Sequence, residues 1–136
     1  MKRDARFRGL SSEHHHALVL SRALAQRAAA GTVDAALVRT LRARFDGELA
    51  PHFLAEEEVL LPALAARGDI ELVRRVEEDH AFLRAAVGAA EGGDHACVAA
   101  FAERLAAHVR FEERELFPRC EEGLPADVLD ALGRRS

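Results

Sequence analysis

The eleven residues His52-Phe53-Leu54-Ala55-Glu56-Glu57-Glu58-Val59-Leu60-Leu61-Pro62 are written again, in outline, as His108-Val109-Arg110-Phe111-Glu112-Glu113-Arg114-Glu115-Leu116-Phe117-Pro118. In both, His is followed by Glu at +4 and +5, Leu at +8 and Pro at +10. A weaker repeat lies upstream of each. Ser12-Glu13-His14 and Glu78-Asp79-His80 open stretches with apolar or small residues at +3, +6, +7 and +10 from the His. The order His, then His-x-x-x-Glu, therefore occurs twice along the chain, which is the signature of a duplicated helical hairpin.

Residues four apart on a helix share a face, so His-x-x-x-Glu directs an imidazole and a carboxylate to one point. Stepping backwards from His52 reaches Leu49 and Phe45, and from His108 reaches Leu105 and Phe101, so both pairs continue apolar stripes. Polar groups aimed into a core must pair with one another or bind a cation. A lone His-x-x-x-Glu is commonplace on a solvated face, but a doubled one with two upstream histidines converges six groups, His14, His52, Glu56, His80, His108 and Glu112. Carboxylates can bridge two cations and imidazoles can complete each sphere, which suits iron, manganese or zinc inside a bundle.

The segments between the motifs read as helix. Hydrophobic residues make up 49% of the 136 and charged residues 31%, with no Trp or Tyr, and the background is rich in Ala, Leu, Arg and Glu. Gly31-Thr32, Gly68-Asp69 and Gly92-Gly93-Asp94 each join a helix-ending glycine to a residue able to cap the next helix. The punctuation predicts helices near 12–30, 33–66, 70–91 and 95–119. Short connections favour antiparallel neighbours, hence an all-α, up-down-up-down four-helix bundle. The tail from Leu124 to Leu132, with Pro125 near its start, is compatible with a short fifth helix. Pro51 and Pro62 predict a bend in the second helix, and Pro62 and Pro118 could instead begin new turns and shorten their helices. The length predicts a single domain over 1–136, with its core about 10–120.

Among the three consecutive histidines, helical steps from His14 reach Ala17, Leu18, Ser21, Leu24 and Ala25, with no charge among them. His15 shares a face with Arg22 and Gln26, and His16 shares one with Leu20, Ala23 and Arg27, so His14 is the preferred inward residue and His15 and His16 remain alternatives. His95, beside Gly92-Gly93-Asp94, reads as a loop or first-turn residue without a role. Cys97 and Cys120 match no zinc or redox spacing and are too few for a disulfide framework. A cytoplasmic setting is expected. Nineteen basic and 23 acidic residues give a net charge of −4 with no basic stripe, and no segment approaches a membrane span, so neither nucleic acid nor membrane is an expected partner. The oligomeric state is not legible.

From Leu10 to Pro118 these residues resemble the hemerythrin-like family, the His-His-Glu cation-binding domains. The resemblance is carried by Glu13-His14, His52 to Glu57, Asp79-His80 and His108 to Pro118. It implies a four-helix bundle with two iron ions joined by an oxo or hydroxo bridge and by two carboxylates, zinc or manganese being alternative metals. Residue by residue, His14 and His52 would serve one ion, His80 and His108 the other, and Glu56 and Glu112 would bridge. One departure stands out. The family's oxygen carriers have His-x-x-x-His on the third helix, whereas Arg84 lies four after His80 and Val76 four before it. Glu77 lies on a compatible face as a substitute ligand, and Glu57 and Glu113 are further candidates. The resemblance and its departure together predict a module that binds or senses O2, NO or iron supply. The competing readings are a small oxidoreductase acting on peroxide or NO, and a structural bundle with a polar core. No proton donor or catalytic residue is identified.

Overall fold

The computed structural model describes residues 3–135. Among these every regular element is helical. A 3₁₀ turn, Ala5–Phe7, leads into α1 (Arg8–Ala29). A long second helix, α2 (35–66), is followed by α3 (Ile70–Glu91), α4 (96–123) and a short α5 (Ala126–Arg135). α1 and α3 both pack along α4, and α2 packs along α3, giving a helical bundle. No described helix is long and apolar enough to cross a membrane.

The first helix begins earlier than Ser12 because Asp4, not Ser12, is the start signal. The Asp4 carboxylate accepts the Arg6 amide, and Phe7 and Leu10 are fully buried, so the apolar stripe extends upstream. The predicted caps also fall differently. Asp34, rather than Thr32, accepts the Leu37 amide at the start of α2, while the Thr32 hydroxyl turns back to the Arg27 carbonyl. Asp69 makes no cap bond and instead pairs with Arg67 and Arg119. Gly31 and Gly68 behave as expected, with φ of 69° and 90°, a left-handed backbone that a side chain would strain.

The prolines neither end their helices nor act alone. α2 contains two π turns, Phe45–Leu49 and Glu56–Leu60, and α4 contains one, Glu112–Leu116. In each, the following amide reaches back five residues: Ala50 to Phe45, Leu61 to Glu56 and Phe117 to Glu112. Pro51, Pro62 and Pro118 come next. A proline has no N–H to offer and its ring crowds the carbonyl four residues back, so a widened turn immediately upstream re-registers the ladder where a bond is lost anyway. The helices continue to Ala66 and Gly123. Two of the three π turns open at Glu56 and Glu112, the repeated carboxylates.

The apolar interior is divided in two. One cluster holds Leu24, Leu41, Phe45, Phe53, Leu83, Phe101 and Leu105. The other holds Phe7, Leu10, Leu60, Val76, Leu116, Phe117 and Leu132, closed from below by α5. Each of the four long helices passes from one cluster to the other through a polar residue of the repeat: Leu10, His14, Ala17 on α1; Leu49, His52, Glu56, Leu60 on α2; Val76, His80, Leu83 on α3; Leu105, His108, Glu112, Leu116 on α4. The candidate ligands therefore form a polar layer between two dry ones.

Candidate metal centre

Six of the eight buried polar residues of the described chain are the six read from the repeat, with Ser21 and Asp79 the others. Their donor atoms form two groups, His14, His52, Glu56, Glu112 and Glu56, His80, His108, Glu112, in each of which all the atoms lie within 4.8 Å of one another. The two carboxylates belong to both groups. His14 Nε2 lies 2.7 Å and His52 Nε2 3.5 Å from Glu112 Oε1. His52 Nε2 is 3.3 Å from Glu56 Oε2, and His80 Nε2 is 3.1 Å from Glu56 Oε1. His108 Nε2 lies 3.2 Å from Glu112 Oε2 and 4.0 Å from Glu56 Oε1. All four histidines thus turn Nε2 inward. His15 and His16 are exposed, as is Glu77, which leaves the second group without a third inward side chain from α3.

Three inward atoms, Glu56 Oε2, Glu112 Oε2 and His108 Nε2, are buried without a hydrogen-bond partner. Buried polar atoms are nearly always satisfied, and leaving one bare costs about 1–3 kcal/mol. That all three belong to the convergent set fits a cation between them, with the two carboxylate oxygens offering lone pairs directly and His108 Nε2 offering one once its proton is displaced. Two imidazoles and two carboxylates per position is a nitrogen and oxygen set suited to iron, manganese or zinc.

The outward face of each imidazole is equally ordered. His14 Nδ1 lies 2.6 Å from Glu113, His80 Nδ1 2.7 Å from Glu57, His108 Nδ1 2.8 Å from Asp79, and His52 Nδ1 3.4 Å from Glu13. A carboxylate on Nδ1 fixes the tautomer that leaves Nε2 free to bind a metal and raises its basicity. Glu57 and Glu113, read from the sequence as candidate ligands, lie against the outward Nδ1 atoms of His80 and His14 and outside both groups. Glu57 also takes two bonds from Arg84, at 2.8 and 3.0 Å, so the residue standing where a third histidine was sought holds an outer carboxylate in place. Asp79 is held by Arg75 and Arg104, and Glu113 by Ser11 and Arg3. Glu13 and Asp79 were missed as functional. Their signal was the acidic residue directly before each upstream histidine. Aromatic rings complete the packing, with Phe53 stacked on His80 and Phe117 on His14.

The charges of this layer are strongly coupled. Burial disfavours ionised His108, but Glu112, Asp79 and Glu56 overcome it and push its pKa up to about 10. Burial likewise opposes a charged His52, yet Glu56 first, then Glu112 and Glu13, hold it well above the usual imidazole range. His14 is raised by Glu112 and Glu113 against burial. Glu112 goes the other way: burial opposes its ionisation, and His108, Glu56 and His14 keep it well below the usual carboxylate range. Imidazole protons balance the inward carboxylates, and a cation binding there takes their place, so binding releases protons.

Cys120 is buried and Cys97 partly exposed; both are free thiols, and neither belongs to either group. His95 is exposed at the start of α4.

A search of curated proteins and a search of solved structures each find no match to the chain. A family model does match, the hemerythrin HHE cation-binding domain, over residues 5–120. With two buried His/Glu groups at its centre and most of its length matched by that family model, this protein belongs to the hemerythrin HHE cation-binding domain family.

Proposed function

We propose that this chain is a metal-binding protein whose non-haem di-iron centre binds or senses O2, NO or iron supply. The observation that carries the reading is the pair of four-residue groups sharing Glu56 and Glu112. In this reading His14 and His52 hold one ion, His80 and His108 the other, and the two glutamates bridge. Iron is favoured by the family resemblance; the donor set itself also accommodates zinc or manganese. When bound, such a centre supplies redox-active metal and an open coordination position to a small ligand. The chain's own residues orient the imidazoles through the outer carboxylates and exclude water with the apolar layers above and below.

Binding is preferred to turnover because the chain has no Tyr or Trp that could carry a radical. The cavity against His14, His52 and His108 measures about 10 Å³ and is walled by Ala17, Leu49, Phe53, Leu105 and Val109. That is room for about one water-sized guest and for no organic substrate. We read the four long helices as an up-down-up-down bundle forming one domain over 1–136, at work in a reducing cytoplasm where both cysteines stay free.

Anaerobic iron reconstitution followed by metal analysis and absorbance spectra tests the proposal. Two iron ions per chain and a spectrum that changes on exposure to O2 or NO are expected; no stoichiometric metal would reject it. Repeated turnover of peroxide or NO would instead support the oxidoreductase reading.

A further inference from the structure

The four imidazoles are not equally supported. Asp79 and Glu57, behind His108 and His80, are each anchored by arginine, and Glu113, behind His14, by Arg3 and Ser11. Glu13, behind His52, has neither an arginine nor a second side-chain partner among the described residues. Its contact is the longest of the four, and its side chain is 39% exposed. The longest contact, made by the most solvated of the four carboxylates, is the weakest tether.

Solvent reaches the same corner. An outer chamber of about 120 Å³ opens between α1 and α2, lined by Glu13, His16, Ala17, Arg44, Gly47 and Leu49. The inner cavity of about 10 Å³ against His14, His52 and His108 shares Glu13, Ala17 and Leu49 with it. Glu13 is the one charged side chain common to both, so it stands at the neck between them. Between α2 and α3 a surface groove has the doubly bonded Glu57 and Arg84, with Glu77, in its lining; it shares no residue with the inner cavity, which does not include His80.

From the unequal supports and the one-sided passage, we infer that the two metal positions are inequivalent: the His14/His52 position is the exchangeable one, entered between α1 and α2 past Glu13, which acts as neck and as positioning residue for His52. The His80/His108 position, which the inner cavity touches at His108 alone, is the retained one. This rests on the metal-site reading above.

Zinc-loaded protein challenged with an excess of a chromophoric chelator tests the inference through release kinetics alone. Two phases of one ion per chain each are expected. Glu13→Ala removes the His52 support and opens the neck, so it accelerates the fast phase by about 10-fold or more, the scale on which outer partners alter metal affinity, and leaves the slow phase unchanged. Glu13→Gln keeps the neck filled and an acceptor for Nδ1, and restores near-parental release. Gly47→Phe fills the outer chamber, since a Cβ at Gly47 meets nothing within 4 Å, and slows the fast phase only. Two ions leaving in a single phase, only one ion bound per chain, or substitutions that shift both phases alike would overturn the inference while leaving a metal site in place. Failure to take up any metal overturns the metal-site reading and this inference with it.

Discussion

Asp79 offers the sharpest quantitative test of the outer carboxylates. Its side chain is 1% exposed and accepts from His108 Nδ1 at 2.8 Å, Arg75 Nε at 2.9 Å and Arg104 Nη1 at 3.2 Å. Asp79→Ala strands the His108 Nδ1–H in an apolar wall, and a buried hydrogen bond to a charged group is worth about 1.5–3 kcal/mol. The two arginines are 40% and 37% exposed, so water replaces most of what they lose, and each adds well under about 1 kcal/mol. A loss of about 2–4 kcal/mol in folding stability follows for protein held free of metal, dominated by the single histidine bond. Metal affinity should fall separately by about 10–100-fold, because the ring is no longer held with Nε2 inward. Asp79→Asn preserves shape and an acceptor oxygen, so it should recover most of the stability and only part of the affinity. Denaturant unfolding with and without a chelator gives the first quantity, and competition against a chelator of known affinity gives the second. An alanine variant within about 0.5 kcal/mol of the parent, with affinity changed less than twofold, would refute the role assigned to this carboxylate, since both lie below the smallest loss argued above.

Other consequences are as direct. Glu112 serves both groups and His80 only one, so Glu112→Ala should abolish binding of both ions whereas His80→Ala should spare one; metal-to-protein ratios after reconstitution distinguish them, and equal losses would contradict the sharing. Phe53, 1% exposed and stacked on His80 with ring centroids 4.0 Å apart, should cost about 3–5 kcal/mol on truncation to Ala, read from the denaturation midpoint. Cys120 has a thiol pushed up to about 12, first by burial and then by Glu112, Glu56 and Asp69, with Arg67 opposing. It should resist thiol reagents in native protein at mild alkaline pH while Cys97 reacts, giving one accessible thiol before unfolding and two after. The sign of the linkage follows: the folded thiol keeps its proton where the unfolded one loses it. This contribution is full below the ordinary thiol pKa and is lost as pH rises towards about 12, so stability should decline over that window.

Much of this architecture was legible because it depends on helical period. The spacing of His52 with Glu56 and of His108 with Glu112, on stripes begun by Phe45, Leu49, Phe101 and Leu105, placed those groups in the interior. The same period separated His14 from exposed His15 and His16. The outer shell was harder to read. Each outer carboxylate is the sequence neighbour of an inward residue, Glu13 and Asp79 of a histidine and Glu57 and Glu113 of a glutamate, and so lies about a quarter turn away and supports a histidine of another helix: Glu13 on α1 serves His52 on α2, Glu57 on α2 serves His80 on α3, Asp79 on α3 serves His108 on α4, and Glu113 on α4 serves His14 on α1. Only docked helices reveal such a ring. Arg84 could be seen as the wrong residue for an oxygen carrier, but not as the anchor of Glu57. The π turns were hidden for a related reason, since Pro51, Pro62 and Pro118 announce a lost hydrogen bond without saying whether the helix bends, stops or widens.

In the function proposed here, the doubled histidine and glutamate repeat builds a two-metal centre. Element-specific anomalous scattering from crystals of the iron-reconstituted protein tests it most directly. Two peaks are predicted, one between His14 and His52 and one between His80 and His108, both within reach of Glu56 and Glu112. No peak in the polar layer, or a single ion bound away from the two shared glutamates, would contradict it.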